Sequence, residues 1–460
     1  MSFLKTDRDL ARDSYYNATV QRPAPAPALD GDIDCDVAIV GGGLAGLSAA
    51  IELADRGYQV VLLEAKQVGW GASGRNGGQA LVGLACEQDT IEAQLGLDEA
   101  RRVWSMSIEA LALIRQRCER FHIDCDWHAG YLSVAVNARK ARELRDWQGR
   151  MQAHYGYDTQ WIEPSQLSEW ISSPRFHSGL HDPLSGHLHP LKYSLGLAHG
   201  AAGLGVRIFE DSPVTGLEPA TTPGGRVRVR AAGFSVRASH VLLAGNVYLQ
   251  GVAPVLESRI MPVGTYIVAS EVLAPELAHA LIPSGAAVCD TNFVLDYFRT
   301  VKAAGVETAG SPAGTSSPRH RMLYGGRVSY STATPMNLAA SMQRRMAHTF
   351  PQLAATRVEF AWGGFVDISM NRAPDFGRLS DRQPGSGAGL SNVYYLQGFS
   401  GHGLALTGIA GKLVAEAIDG DARRFDTFSR IRHRAFPGGK LLRMPTLVAG
   451  MAYHRLKDLL

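Results

Sequence analysis

The sequence predicts an α/β protein (α+β overall) in which a parallel-sheet domain is interlocked with a second domain. Three observations lead to this prediction. The chain has 460 residues, more than the roughly 100–200 residues of a single domain. A nearly all-apolar strand at residues 36–40 runs directly into a glycine-rich turn and a helix, as in a parallel sheet covered on both faces. Another strand, glycine turn and helix follow one another at residues 393–418.

The first of these units is the clearest signal in the chain. Strand Asp36–Val40 ends at the turn Gly41–Gly46, and the helical pattern after it continues through Arg56. Gly57 then supplies the left-handed residue that commonly ends a helix. A second apolar strand, Gln59–Glu64, follows and ends on an acid, so the pattern predicts a βαβ unit.

The rest of the chain gives weaker local signals. The Pro/Ala-rich run at residues 21–28 indicates an extended arm outside the core. Between the two glycine turns lie further strands, such as Tyr131–Val134 and His240–Gly245. The last strand, Val393–Leu396, precedes a helix predicted at Leu404–Ile418.

Composition and charge argue against several classes of protein. A net charge of +3, without dense Lys/Arg clusters among aromatics, argues against nucleic-acid binding. Five widely spaced cysteines fit neither a disulfide scaffold nor a zinc site. The N-terminus is charged rather than apolar, and no apolar stretch reaches the roughly 18 residues of a membrane span. We therefore expect a cytoplasmic protein without a metal, for which membrane association is not expected.

The first glycine turn, called the dinucleotide turn below, has the spacing GxGxxG at Gly41, Gly43 and Gly46, which alone is a weak pattern. Here a strand precedes it, a helix follows it, and Glu64 ends the next strand eighteen residues past Gly46. In a dinucleotide site these glycines permit a tight turn, pyrophosphate approach and close helix packing. The helix N-terminus binds the phosphates and the acid binds a ribose. The alternative is an ordinary glycine turn with a solvated acid.

Two further glycine-rich segments favour FAD over NAD. The loop Trp70–Gln79 (WGASGRNGGQ) suits a cofactor whose second half extends beyond the pyrophosphate. Arg75 in this loop either contacts a phosphate or braces the loop. The C-terminal turn, Gly398–Gly403, opens a helix whose N-terminus would direct positive potential at the electron-rich edge of a flavin. His402 in this turn either holds a proton near the flavin or makes backbone contacts only.

Taken together, these motifs resemble the D-amino-acid-oxidase/glycine-oxidase class of FAD-dependent flavoproteins, and most closely its gamma-glutamylputrescine-oxidising branch. The resemblance extends over nearly the whole chain, including residues 186–190, 295–299 and 436–440. The loop 70–79 is its most specific part. Residues 302–318 depart from the pattern and are read as a mobile insertion.

The resemblance implies a Rossmann-like FAD-binding domain and a substrate domain on a mixed, largely antiparallel sheet. It also implies oxidation of a C–N bond in a small amine or amino-acid derivative by hydride transfer to flavin N5. Hydrolysis of the imine would give an aldehyde or keto product, and dioxygen would reoxidise the flavin with release of hydrogen peroxide. Because Trp362–Phe365 lacks the cysteine that attaches flavin in sarcosine-oxidase relatives, non-covalent FAD is expected.

The expected domain boundaries follow from the same resemblance. They are an N-terminal arm at 1–32, an FAD-binding domain at 33–90, 191–250 and 356–433, a substrate domain at 91–190 and 251–355, and a C-terminal tail at 434–460. The residues expected to contact FAD are Gly41, Gly43, Leu44, Ala45, Gly46, Glu64, Ala65, Gly71, Ala72, Ser73, Arg75, Asn76, Gly77, Gly78, Gln79, Val214, Ala244, Gly245, Gly398, Ser400, Gly401, His402 and Gly403.

Four residues are candidates for contact with the substrate or for catalysis. Tyr297 and Arg299 share one face of a strand and could bind a carboxylate-bearing substrate, the alternative being a solvated strand face. Trp362 either caps the pocket or belongs to the core, and His402 is the fourth. A distal ammonium on the substrate could bind Asp290 or Asp296, which are weaker candidates.

Two other functions stay open at this stage. One is an FAD-dependent oxidase or dehydrogenase of a cyclic or N-methyl amino acid, such as L-pipecolate or a sarcosine-like compound. The other is a flavin-bearing, membrane-peripheral subunit, because residues 441–451 mix apolar and basic side chains. Packing of this tail over the fold is the competing interpretation. The sequence does not predict the oligomeric state.

Overall fold

The computed structural model of the chain is built around two β-sheets and the helices that cover them. It describes residues 7, 10–11, 14–222, 224–303, 319–329, 337–382 and 390–437. The helices are α1 Tyr15–Ala18, α2 Leu44–Asp55, α3 Gln88–Leu95, α4 Leu97–Arg120, α5 Ala138–Tyr155, α6 Pro190–Gly203, α7 Pro254–Glu257, α8 Pro275–Leu281, α9 Leu338–Thr349, α10 Gly403–Ile418 and α11 Arg423–Ser429.

The strands of both sheets are numbered along the chain. They are β1 Ile33–Val40, β2 Val60–Leu63, β3 Gln79–Ala80, β4 His128–Ala135, β5 Gln160–Ile162, β6 Ser178–His187, β7 Arg207–Phe209, β8 Val214–Glu218, β9 Val227–Ala231, β10 Phe234–Leu243, β11 Ile260–Ser270, β12 Ala287–Asp290, β13 Tyr297–Lys302, β14 His320–Ser329, β15 Val358–Ser369, β16 Asp375–Arg378 and β17 Val393–Gln397.

The first sheet confirms the predicted Rossmann-like domain. Its strand order is β16-β17-β10-β1-β2-β7, with β9 joining β8 to β10. Strand β1 is parallel to both β10 and β2. Side chains along β1 alternate between two cores, Val37 and Ile39 packing in one and Ala38 and Val40 in the other. The all-apolar strand is therefore buried on both faces, as its sequence predicts.

The second sheet has the order β15-β11-β14-β13-β12-β4-β6-β3, with β5 beside β6. Strands β12 and β4 are parallel, whereas the pairs formed by β11, β14 and β15 are antiparallel. This is the mixed, largely antiparallel sheet that was expected. Its core includes Phe298, Tyr324 and Met346, so helix α9 packs on this sheet.

Two parts of the expected domain division are wrong. Strands β3 and β15 lie in segments assigned to the FAD-binding domain, but they belong to the second sheet. Helix α4 and residues 91–95 of α3 lie in a segment assigned to the substrate domain, yet Ile91 and Val103 pack in the core of the first sheet. Apolar periodicity shows that a helix has a buried face, but it does not show which sheet that face covers.

The N-terminal arm is also more than an extended segment outside the core. Residues 21–30 carry no helix or strand, but Tyr15 and Tyr16 of α1 are buried in a cluster with Trp362. Tyr16 is 0% exposed. The expectation for residues 1–32 is therefore wrong at these tyrosines, because a single helical turn inserts aromatic side chains that local composition does not predict.

Some expectations concern residues beyond the described part. Lys302 ends β13, but residues 304–318 of the expected insertion lie outside the described ranges, as do residues 438–460 of the tail. The structure therefore does not test the membrane-peripheral interpretation of residues 441–451. Among the helices that are described, none is long and apolar enough to cross a membrane.

Candidate functional site

The dinucleotide turn lies where β1 ends and α2 begins, and its glycines fit tightly. Gly41 has a φ of +115°, and a Cβ on it would lie 2.6 Å from the carbonyl oxygen of Ala244. A Cβ on Gly46 would lie 2.0 Å from the carbonyl oxygen of Gly41. Helix α2 therefore approaches the turn as closely as the motif requires, and the turn lies beside the end of β10, where Ala244 and Gly245 follow the strand.

Glu64 lies at the end of β2 with its carboxylate directed to the dinucleotide turn. Its Oε2 accepts a hydrogen bond from the Gly42 amide at 2.7 Å, and its Oε1 accepts one from the Lys66 amide at 2.9 Å. Burial raises the pKa of Glu64. Each oxygen of a carboxylate has further acceptor capacity, so the residue can still bind the hydroxyls of a ribose.

The loop 70–79 covers the N-terminus of α2 through Ser73. The hydroxyl of Ser73, in a short 3-10 turn at Ala72–Gly74, accepts a hydrogen bond from the Leu44 amide at 3.0 Å. A Cβ on Gly43 would lie 2.8 Å from the same oxygen. Two segments that are separate in sequence therefore meet at the helix end that would bind phosphate.

Arg75 braces this loop, which resolves the alternative left open by the sequence. Its guanidinium donates to both oxygens of Asp7, at 2.7 and 2.9 Å, and to the carbonyl of Gly363 at 2.9 Å. It also donates to Gly71 and Tyr248 and is 5% exposed. All five N–H groups of an arginine are thereby occupied, so the guanidinium of Arg75 is not a phosphate ligand.

The other polar side chains of the loop also bind protein groups. Asn76 donates to the carbonyls of Ala72 and Ser73, each at 2.9 Å, and accepts from the Gly78 amide at 2.8 Å. Gln79 donates to the carbonyl of Val288 at 3.1 Å. These bonds fix the shape of the loop, so any contact that Asn76 or Gln79 makes with a cofactor would involve the backbone or the remaining capacity of the side chain.

Tyr297 and Arg299 share one face of β13, as expected, and both contact the loop. The Nε of Arg299 donates to the carbonyl of Gly77 at 2.8 Å. A Cβ on Gly77 would lie 2.7 Å from the Tyr297 ring. Tyr297 keeps partial exposure, and burial raises its pKa.

The guanidinium group of Arg299 is not free to bind a substrate carboxylate, so that expectation is wrong. The side chain is 3% exposed. Its Nη2 donates to the Tyr16 hydroxyl at 3.1 Å and to the Leu188 carbonyl at 2.8 Å, and its Nη1 donates to Nδ1 of His187 at 2.9 Å. Arg299 is instead a positioning residue that connects β13, the N-terminal helix and the loop.

His402 of the C-terminal turn contacts the segment that follows the loop 70–79 and β3. The Nε2 of His402 lies 3.2 Å from the carbonyl oxygen of Val82, just after β3. Because a carbonyl only accepts, this nitrogen carries the proton and Nδ1 is left as an acceptor. Burial lowers the pKa of His402 to about 4, so the ring is neutral at physiological pH.

Asp367 shapes the C-terminal turn, although no sequence pattern points to it. Its Oδ2 accepts from the Gly398 amide at 2.5 Å, and its carbonyl accepts from the Ser400 amide at 2.9 Å. Ser400 has a φ of +54°, so these bonds hold a left-handed residue in place. Burial raises the pKa of Asp367 to about 7.

Trp362 belongs to the core, so its assignment as a catalytic candidate is wrong. It is 0% exposed, its Nε1 donates to the carbonyl of Arg75 at 3.0 Å, and its ring packs edge-on against Tyr16. A side chain without exposed surface cannot touch a substrate, although Trp362 holds the loop from behind.

The weaker candidates for an ammonium site, Asp290 and Asp296, are paired within the protein. Arg175 donates to Asp296 at 2.7 Å and to Asp290 at 3.3 Å, and Arg345 donates to Asp296 at 2.6 Å. Both carboxylates are buried. This network belongs to the second sheet and has no charge left for a substrate amine.

The remaining expected FAD contacts stay predictions. Val214 begins β8, and Ala65 follows Glu64. Sequence reasoning missed Asp7, Tyr16 and Tyr248 as well as Asp367. Within the described ranges, no group of three His, Cys, Asp or Glu residues is arranged to hold a metal ion.

The residues present fit FAD. The glycines of the dinucleotide turn leave room that side chains would fill, the N-terminus of α2 offers amides to a pyrophosphate, and Glu64 offers a carboxylate to a ribose. The loop 70–79 lies on the N-terminus of α2 through Ser73, and helix α10, which begins at the C-terminal turn, contacts α2 through the hydrogen bond from Ser48 to the Gly408 carbonyl.

Comparison with known proteins identifies the same cofactor. Residues 36–417 match the family model described as FAD dependent oxidoreductase. The chain is 38% identical over 446 residues to a gamma-glutamylputrescine oxidoreductase of Escherichia coli K12, covering 97% of this chain and 98% of that protein. It is 35% identical over 450 residues to a probable oxidoreductase, OrdL, of Haemophilus influenzae, covering 97% of each.

Solved structures show the same fold. A glycine oxidase from Geobacillus kaustophilus superposes with a TM-score of 0.66 at 20% identity, covering 84% of this chain and 95% of that chain. An L-proline dehydrogenase from P. horikoshii superposes with a TM-score of 0.63 at 18% identity, covering 86% of this chain and 94% of that chain. At these identities the likeness concerns the fold alone.

Proposed function

The chain belongs to the family of FAD-dependent oxidoreductases, and from this premise we propose that it oxidises a C–N bond in a small amine or amino-acid derivative. Gamma-glutamylputrescine or a related polyamine conjugate is the first candidate substrate. One observation carries the proposal: Ser73 of the loop 70–79 lies on the α2 N-terminus, and His402 of the C-terminal turn contacts Val82, three residues after the end of that loop. The similarity to a gamma-glutamylputrescine oxidoreductase supports the substrate class.

Three groups of residues would hold FAD. The amides at the start of α2 would bind the pyrophosphate, Glu64 would bind the adenosine ribose, and the loop 70–79 with the C-terminal turn would enclose the flavin. When bound, FAD supplies the two-electron acceptor for the carbon that carries the amine. We propose non-covalent binding, because Trp362–Phe365 carries no cysteine or histidine.

The chain's own residues would position these groups and exclude water. His402 stays neutral, with its Nε2 proton bound to the Val82 carbonyl, so its Nδ1 is available as an acceptor. Helix α10 begins at the next residue and directs the positive end of its dipole to the same side. Tyr297, which lies against Gly77 and is partly exposed, is proposed to line the substrate space. Arg299 fixes the loop on which the ring of Tyr297 rests.

The electron acceptor and the compartment remain part of the proposal. We propose that dioxygen reoxidises the cofactor and yields hydrogen peroxide. We also propose that the protein works in the cytoplasm, in accord with its five free cysteines.

The experiment that tests this proposal follows the absorption spectrum of the purified protein under anaerobic conditions. We expect flavin bands that bleach when gamma-glutamylputrescine is added and that persist with L-pipecolate or sarcosine. Bleaching only with the two amino acids would replace the proposed substrate class, and bands that persist with every amine would remove the amine-oxidation proposal.

Two further measurements separate the remaining claims. Readmission of air should release peroxide in step with turnover, whereas dye reduction without peroxide would make the protein a dehydrogenase. Acid precipitation should leave the flavin in the supernatant, and flavin retained by the pellet would show covalent attachment.

A further inference from the structure

Two cysteines lie together outside the segments that would hold FAD. The Sγ atoms of Cys118 and Cys125 are 3.4 Å apart. Helix α4 ends at Arg120, and the chain then reverses, with the Ile123 amide donating to the Cys118 carbonyl at 2.8 Å. This reversal returns Cys125 to the side of Cys118. The contact therefore comes from a compact local turn rather than from a chance meeting of distant segments.

The turn is held in place by helix α6. A Cβ on Gly196 would lie 2.6 Å from Ile123, and one on Gly200 would lie 2.7 Å from Phe121. The side chains of the turn thus fill the two glycine positions of α6. Because Phe121 and Ile123 of the turn are both packed against α6, the two thiols stay close without a covalent bond.

The two thiols differ in exposure and acidity. Cys118 is partly exposed and Cys125 is buried. The hydrogen bond from Cys125 lowers the pKa of Cys118, which increases its thiolate fraction and its reactivity toward oxidants. Cys86 is also partly exposed, but burial raises its pKa to about 12. Cys86 therefore serves as an internal comparison.

We propose that Cys118 and Cys125 form a modification site, a dithiol that hydrogen peroxide oxidises to an intramolecular disulfide. The Cys118 thiolate attacks the O–O bond and becomes a sulfenic acid, and the departing oxygen takes a proton and leaves as water. The Cys125 thiol then attacks the Cys118 sulfur, expels hydroxide and gives up its proton to it, which forms a second water. The two thiols lose two electrons, and the peroxide gains them.

The disulfide would tether α4 to the support of the loop 70–79. The carbonyl of Cys125 accepts from the His189 amide at 2.7 Å, and the neighbouring Leu188 amide donates to the Gly78 carbonyl at 2.8 Å. The link would close a loop between residues seven positions apart and so restrict the unfolded chain. We expect the oxidised protein to unfold at a higher temperature than the reduced one.

The test uses reduced, desalted holoprotein without amine substrate, so its outcome does not depend on the proposed function. Hydrogen peroxide is added in small molar excess, free thiols are alkylated, and peptides are mapped by mass spectrometry. We expect the loss of two of the five thiols, a Cys118–Cys125 cross-linked peptide, and full recovery with dithiothreitol. Cys86→Ser should behave as the parent protein.

Cysteine variants and the relative oxidation rates of the thiols test the proposal. Cys118→Ser and Cys125→Ala should each abolish the cross-link while leaving the flavin spectrum unchanged. The proposal is overturned if all five thiols survive the peroxide, if Cys86 is oxidised as fast as Cys118, or if the new disulfide joins two chains.

Discussion

Arg75 and Arg299 show how individual residues support the flavin-binding loop. Arg75 lies within the loop and is bound to Asp7, whereas Arg299 contacts the loop from β13 and is bound to Tyr16 and His187. Both guanidinium groups are buried; Arg75 donates five hydrogen bonds to protein atoms and Arg299 donates four. A buried charge that loses its partner costs about 3–5 kcal/mol, so both sites are sensitive to single substitutions.

Substitution of Asp7 tests whether the N-terminal segment supports the cofactor site. Asp7→Asn leaves the Arg75 charge buried and unpaired, so the free energy of unfolding should fall by about 3–5 kcal/mol. Bound FAD should also dissociate more readily. Thermal unfolding and the fluorescence of released flavin measure the two effects.

The matched control is Asp421→Asn, which breaks an Asp–Arg pair with Arg423 on the surface. Exposed ion pairs contribute little to stability, so this variant should resemble the parent protein. Equal effects of the two substitutions would show that the Asp7 pair does not support the site.

The contacts of Arg299 change the expectation for its removal. Arg299→Ala should lower kcat/KM by a similar factor, about tenfold or more, for carboxylate-bearing and simple amines alike, because the loop and not the substrate loses its support. Steady-state kinetics on both substrate types, with FAD retention as a second readout, would measure this. A loss confined to carboxylate-bearing substrates would restore a direct binding role.

At the scale of the element, the β1–turn–α2 unit was predictable because its determinants are local. The helix ends at Asp55, with Arg56 as its cap and Gly57 at a φ of +85°, as the sequence predicts. The close contact of Gly46 with Gly41 is local as well. Arg75 and Asp7, in contrast, lie 68 positions apart, and Arg299 and Tyr16 lie 283 apart, so no local pattern could reveal these pairs.

The glycine in the middle of the dinucleotide turn provides the test at this scale. Gly43→Val would place a side chain against Ser73 and the phosphate-binding amides, so we expect a folded protein without flavin colour. Circular dichroism and absorption measure fold and cofactor separately. The control is Gly149→Val, at a helical position where an added Cβ would have no neighbouring atom within 4 Å. This variant should keep its flavin. A stoichiometrically yellow Gly43→Val protein would contradict the assigned role.

At the scale of the whole molecule, the site lies where the two sheets meet. Asp367 belongs to β15 of the second sheet, and it binds the turn that follows β17 of the first. The family resemblance implied both sheets, but the expected boundaries put the residues of β15 in the FAD-binding domain, because strand pairing across such distances depends on tertiary packing rather than on propensity. Asp367 went unnoticed for the same reason, since nothing near it in sequence marks a buried carboxyl group.

The raised pKa of Asp367, about 7, predicts a pH-dependent stability. Folding favours the protonated form, so its contribution is present at low pH and is lost as the pH rises from about 4 to 7. Asp367→Asn cannot titrate at this position and so avoids the loss of stability. The melting temperature of the variant minus that of the parent protein should therefore increase by about 2–4 °C from pH 5 to pH 8. Differential scanning fluorimetry at the two pH values measures the difference.

The surface variant Asp421→Asn again serves as the control, because the ion pair with Arg423 lowers the pKa of Asp421 to about 2. Its melting temperature relative to the parent protein should not change between the two pH values. If the difference in melting temperature between Asp367→Asn and the parent protein is also the same at both pH values, the carboxyl group titrates normally in the folded protein.

The order of strands in the first sheet also bears on how the protein is made. Strand β10 lies between β1, which is translated about two hundred residues earlier, and β17, which is translated about one hundred and fifty residues later. On the ribosome, the part of the β10 edge at residues 241–243, which pairs with β17, therefore stays unpaired until nearly the whole chain has emerged. A flavin site that needs the C-terminal turn can be completed only after residue 403 has emerged, and a nascent chain interrupted before residue 393 leaves this stretch of strand edge unpaired.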